Sequence, residues 1–156
     1  MNHNLKNIAF SIMLLSLIAF SISCSSDGDD APAPLTKAEE VTILLVGDAS
    51  DPNVGKTWSL ATVDVSGIDY TDVYTNFTVD FTDGQFTITN GGPFFPGNGT
   101  WTFASDAAET VVLNSGVELT IQELSEQRLI FSVQIDETLY GRTEQVGGNN
   151  IFTLNR

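Results

Sequence analysis

Phe77-Thr78-Val79-Asp80-Phe81-Thr82-Asp83-Gly84-Gln85-Phe86-Thr87-Ile88-Thr89 decides the fold class. Apolar side chains at 77, 79 and 81 alternate with Thr78 and Asp80, the period of a half-buried strand. Asp83-Gly84 supplies the positive dihedral angles that a tight turn demands, and Phe86 and Ile88 resume the alternation. The stretch therefore predicts an antiparallel hairpin. Downstream, Trp101 and Phe103 continue on a further strand, and Val111 and Leu113 lead through Asn114-Ser115-Gly116 into Val117, Leu119 and Ile121. Leu129, Phe131, Val133 and Ile135 form the clearest period-two run, and Ile151 to Leu154 closes the chain. Upstream, Trp58 to Val65 is strand-like.

Together these segments give about eight strands joined mostly by tight turns, so the chain is read as all-β, an antiparallel meander barrel. A closed barrel of that size is just wide enough to be filled by side chains or to hold one small ligand. An open sandwich is the competing architecture. Thr36 resembles an N-cap with Glu39 at the third position, which predicts a short helix over Lys37 to Val46 ahead of the sheet. Gly55-Lys56-Thr57 after an apolar run looks like a phosphate-binding loop. The first glycine of such a loop, separated from Gly55 by four residues, is replaced by Ser50, and strand-like sequence follows where a helix should start.

The beginning of the chain reads as an export signal. Lys6 precedes an apolar run from Ile8 to Ile22, and Ser23 stands before Cys24, the sole cysteine. Residues 1–23 are accordingly expected to be a lipoprotein signal peptide, with Cys24 the lipidated first residue of the mature protein. Residues 24–35, rich in Ser, Asp, Gly and Pro, are expected to be a flexible acidic tether. Residues 36–156 carry the helix and the barrel. The acidic run Ser25-Ser26-Asp27-Gly28-Asp29-Asp30 resembles the sorting tag of surface-exported lipoproteins in Bacteroidota-type bacteria. That resemblance implies a lipid-anchored protein of the outer membrane with its domain facing the cell exterior.

Composition narrows the chemistry. Without residues 1–23 the chain keeps five basic and twenty acidic side chains, a net charge of −15. Such a surface repels phosphate backbones, so no nucleic-acid partner is expected. His3, the single histidine, leaves with the signal. That removes Ser-His-Asp and Cys-His machinery and histidine metal sites, and with Cys24 acylated thiolate sites vanish too. No cofactor, metal site or catalytic residue is expected, and the chain is read as no enzyme. A carboxylate-based hydrolase would need two facing carboxyl groups, and Asp64, Asp69, Asp72 and Asp80 show no spacing that predicts them.

Thr82-Asp83-Gly84, the run Thr89-Asn90-Gly91-Gly92-Pro93-Phe94-Phe95-Pro96-Gly97-Asn98-Gly99-Thr100-Trp101-Thr102-Phe103 and the strands Val117 to Leu124 and Leu129 to Val133 resemble the small lipocalin-like domains of Bacteroidota surface lipoproteins. The resemblance covers roughly residues 55 to 155 and implies a calycin-type barrel without an established general activity. Lipocalins carry Gly-x-Trp on the first strand with a basic residue against the tryptophan; here the spacing is Gly55-Lys56-Thr57-Trp58.

Candidate binding residues lie in the loops. Phe94 and Phe95 stand in a Gly- and Pro-rich segment that otherwise reads as exposed, near Trp101 in sequence. Alternatively their rings fold back and plug one end of the core. Arg142 on the long Gly141 to Asn150 connection has the fork geometry to hold a ligand carboxylate. Two functional expectations follow. One is a surface lipoprotein whose barrel binds a small apolar or amphipathic ligand. The other is a non-catalytic accessory module with a filled barrel that recognises a protein or glycan through its loops.

Overall fold

Helix α1 spans Lys37–Val46, followed by strands β1 Lys56–Val65, β2 Ile68–Asp69, β3 Thr78–Thr82, β4 Gln85–Thr89, β5 Asn98–Phe103, β6 Thr110–Leu113, β7 Glu118–Leu124, β8 Arg128–Ile135 and β9 Gly148–Asn155. A single 3-10 turn covers Thr71–Tyr74. The structure, a computed structural model, describes residues 33–47, 55–135 and 147–156. From β3 onward each strand pairs antiparallel with its successor, β1 pairs with β3, and β9 returns to pair with β1. The result is a closed eight-stranded antiparallel barrel, in which the two-residue β2 pairs with the end of β1 past the point where β3 begins.

Closure requires one strand to serve two neighbours. Lys56–Ser59 of β1 pair with β3, and Ser59–Val65 pair with β9. The register shift between Leu60 and Thr62 bends the strand where it changes partner. A second shift lies between Ile121 and Glu123 in β7. The expected hairpin is present, with Phe81 opposite Phe86 and Val79 opposite Ile88. In its turn only Gly84 takes a positive φ, +66°; Asp83 stays on the ordinary side of the map. A second tight turn was not expected: Ser66 and Gly67, at φ +54° and +84°, join β1 to β2. Both central residues are left-handed, as the common two-residue hairpin turn requires. The Gly67 amide also donates to Asp64 Oδ1 at 3.0 Å.

An up-and-down barrel has two distinct ends. The connections β1–β3, β4–β5, β6–β7 and β8–β9 gather at one, here called the loop end. The short turns β3–β4 and β7–β8 lie at the other, together with α1, and this is called the helix end.

Helix α1 starts as expected. The Glu39 amide donates to Thr36 Oγ1 at 3.3 Å and the Thr36 amide donates to Glu39 Oε2 at 2.7 Å, a reciprocal capping box. These bonds to Thr36 hold the Glu39 carboxyl below the usual carboxylate range. The end of the helix is held by β1. Lys56 Nζ donates to Leu44 O at 2.8 Å and Ile43 O at 3.3 Å, and Trp58 Nε1 donates to Leu45 O at 3.0 Å. The last carbonyls of a helix lack intrahelical donors and carry its partial negative charge, so an ammonium and an indole N–H are suited to them. Lys56 is buried, its ammonium 3.5 Å from Glu126 in the β7–β8 turn. The lysine of the apparent phosphate-loop sequence therefore binds the α1 backbone to the barrel. Leu45, completely buried, enters the core beneath it, a burial worth about 1.5–3 kcal/mol.

Lys56→Met retains the aliphatic stem but leaves two carbonyls without their donor. It is expected to lower stability by about 1–3 kcal/mol in urea unfolding while leaving the strand content in circular dichroism unchanged. A midpoint equal to that of the parent would show that the contact is dispensable.

Candidate functional site

The barrel interior is built from aromatic rings. Phe152 on β9 is the hub: Phe131 stacks on it at 5.1 Å between centroids with an interplanar angle of 10°. Phe77 lies 5.5 Å away, and Tyr74 meets it edge-on at 5.1 Å. Phe95 joins from the β4–β5 loop, 5.5 Å from Phe152 and 5.4 Å from Phe77. Centroid separations in this range are those of aromatic contact. Burial also pushes the Tyr74 phenol above its ordinary pKa, which keeps it neutral.

Phe95 reaches the interior because its loop folds back over the barrel. The Ile88 amide donates to Gly97 O at 2.7 Å, and Asn90 Nδ2 ties the loop to Asn76 O at 3.1 Å. Gly91 packs directly beneath the ring: a Cβ there would fall 2.6 Å from Phe95 Cβ and 2.7 Å from Ile88 Cγ2. Of the two candidate rings, Phe95 is thus buried as a plug of the core, while Phe94 packs edge-on against it at 5.0 Å and stays half-buried.

Trp101, the third candidate, belongs elsewhere. Its indole N–H is shared between Thr82 O and Gln85 O, each at 3.0 Å, and its ring meets Phe81 and Phe103 edge-on. These contacts fix it beside the β3–β4 turn at the helix end. Proximity in sequence is misleading because β5 runs the length of the wall between the loop and Trp101. The structure therefore does not assemble Phe94, Phe95 and Trp101 into one site. Arg142 and Cys24 lie outside the described residues.

The β1–β2 hairpin brings Asp64 directly opposite Asp69, a juxtaposition that depends on the Ser66-Gly67 turn and is not visible in the spacing of the acidic residues. The pair lies on the outer side of the hairpin, since the next paired residue, Val65, points into the core. Thr71 donates to Asp69 through its hydroxyl and its amide, which holds that carboxyl below the usual range. A general acid needs the opposite shift. Among the described residues no group of three or more His, Cys, Asp or Glu side chains is placed to hold a metal ion. A scan against protein-family models finds no match, and a search of curated proteins finds none either.

The geometry thus gives an aromatic column sealed at the loop end by Phe95. Phe95→Ala is expected to cost about 3–5 kcal/mol in urea unfolding, the loss typical of a buried phenylalanine. Phe94→Ala is expected to cost less than half as much. Equal costs would contradict the division into plug and rim.

Proposed function

We propose that this protein is a lipid-anchored, lipocalin-like barrel displayed outward on a bacterial outer membrane. In this reading it serves as a non-catalytic interaction module that recognises its partner through the loop end. The observation that carries the proposal is the seating of Phe95 against Phe77 and Phe152, which places side chains of the protein where a barrel ligand would enter. Ring follows ring from Phe95 through Phe152 to Phe131. This packing supports a filled barrel in preference to one that carries a small apolar molecule.

Anchoring rests on the sequence: Lys6, the apolar run, Ser23 and then Cys24. The tether of residues 24–35 has an extended reach of about 40 Å, at about 3.3–3.6 Å per residue. It leads into α1, which is fastened at the helix end. An anchored chain would therefore leave the loop end free to turn away from the membrane.

Two measurements test the proposal. Native mass spectrometry of residues 25–156 is expected to give the bare polypeptide mass; a stoichiometric retained molecule would restore the ligand-carrying reading. Metabolic labelling with an alkyne fatty acid is expected to tag the parent protein and to spare Cys24→Ser. Label retained in the variant would remove the anchor from the account.

A further inference from the structure

Two Asn-Gly dipeptides flank the β4–β5 loop, Asn90-Gly91 at its start and Asn98-Gly99 at its end. Such a pair is chemically labile, because a glycine presents its amide nitrogen to the preceding carboxamide with no side chain in the way. The fold treats the two differently. Asn98 and Gly99 lie in β5, paired with Thr87 and Phe86, and the Asn114 carboxamide packs directly on Gly99. Asn90 lies just past the last paired residue of β4, exposed and left-handed at φ +56°. The Gly91 amide donates no hydrogen bond to a described residue.

The same dipeptide fastens the plug. Asn90 Nδ2 donates to Asn76 O at 3.1 Å, which ties the start of the loop to the residue ahead of Phe77. The Phe95 amide donates to Gly91 O at 3.5 Å, and the Phe95 side chain occupies the space that a Cβ on Gly91 would need. Both ties are single hydrogen bonds made by loop residues, the class of contact that opens locally while the barrel stays folded. Opening the first of them frees the Asn90 carboxamide to turn toward the Gly91 nitrogen.

We propose that Asn90-Gly91 is a site of spontaneous deamidation, and that the reaction unfastens the Phe95 plug. In the loop-open state the Gly91 nitrogen gives up its proton and bonds to Asn90 Cγ, and Nδ2 leaves as ammonia. The resulting cyclic imide adds water at one of its two carbonyls and opens to aspartate or isoaspartate. No oxidant or reductant takes part, and water is the only co-reactant. Either product replaces the amide donor with a carboxylate, which accepts hydrogen bonds only and is repelled by Asn76 O. Isoaspartate also lengthens the backbone by one carbon, directly between the Asn76 tie and the glycine beneath Phe95. The conversion runs one way, so a barrel that is closed when made acquires an open loop end with age. This holds whichever partner the loop end recognises.

The test is incubation of residues 25–156, which contain the helix and the whole barrel, in warm and mildly alkaline buffer, followed by peptide mapping with mass spectrometry. Asn90 is expected to convert at least roughly tenfold faster than Asn98 in the folded protein, because opening the ladder costs more than opening the loop. In concentrated urea the two rates are expected to converge. Native-state hydrogen exchange reads the consequence. In Asn90→Asp the amides of Phe95 and of Ile88, which holds Gly97 O at the far end of the loop, are expected to exchange at least roughly tenfold faster than in the parent. Strand content in circular dichroism is expected to stay unchanged. Equal conversion of both asparagines in the folded protein, or a difference that persists in urea, would overturn the structural assignment of the site. Exchange at Phe95 and Ile88 equal to that of the parent would overturn the unfastening.

Discussion

The seam between β1 and β9 is the constraint on which the rest of the structure depends. Ser59–Val65 pair with Asn150–Asn155, so the first and last strands complete each other's backbone hydrogen bonds. An eight-stranded meander left open would expose two unpaired edges to water. The bulge after Leu60 allows β1 to satisfy β3 with one half and β9 with the other. The same two strands carry the residues that organise the interior. Lys56 and Trp58 on β1 hold α1, and Phe152 on β9 gathers Tyr74, Phe77, Phe95 and Phe131. Closure and core packing are therefore coupled through these side chains.

The two ends are sealed by different physics. At the helix end the seal is polar and directional: an ammonium and an indole N–H meet carbonyls that the helix cannot satisfy itself. Leaving such groups unpaired in a buried setting is costly, so this contact fixes the position of α1 more than it adds net stability. At the loop end the seal is dispersive. Phe95 is held by ring contacts, and the loop that delivers it depends on a residue without a side chain at Gly91. The loop end also carries the apposed Asp64 and Asp69 and the exposed Ile68 and Val73. The polar fastening and the aromatic plug are thus separated along the barrel.

Much of this was legible before the fold was known. Period-two alternation placed the long strands, and Thr36 with Glu39 located the start of α1 because a capping box is a local signal. The alternative in which a loop ring plugs the core describes Phe95. The obscure features were those that depend on pairing at a distance. The Ser66-Gly67 turn joins two strands of which one has only two residues, so no alternation marks it, and without it the apposition of Asp64 and Asp69 does not follow. The role of Lys56 was hidden because its acceptors are backbone carbonyls of a helix more than ten residues earlier, and carbonyls leave no mark in a sequence. Trp101 is near Phe94 and Phe95 along the chain, whereas the length of a strand separates the β4–β5 loop from the β3–β4 turn.

The central claim is that the barrel is filled by its own aromatic side chains. Xenon tests this most directly, because it enters apolar cavities too dry for water. NMR spectra of residues 25–156 recorded under increasing xenon pressure should show no saturable shifts at Phe77, Phe131 or Phe152. Saturable shifts at those three rings would reveal an open interior and contradict the account.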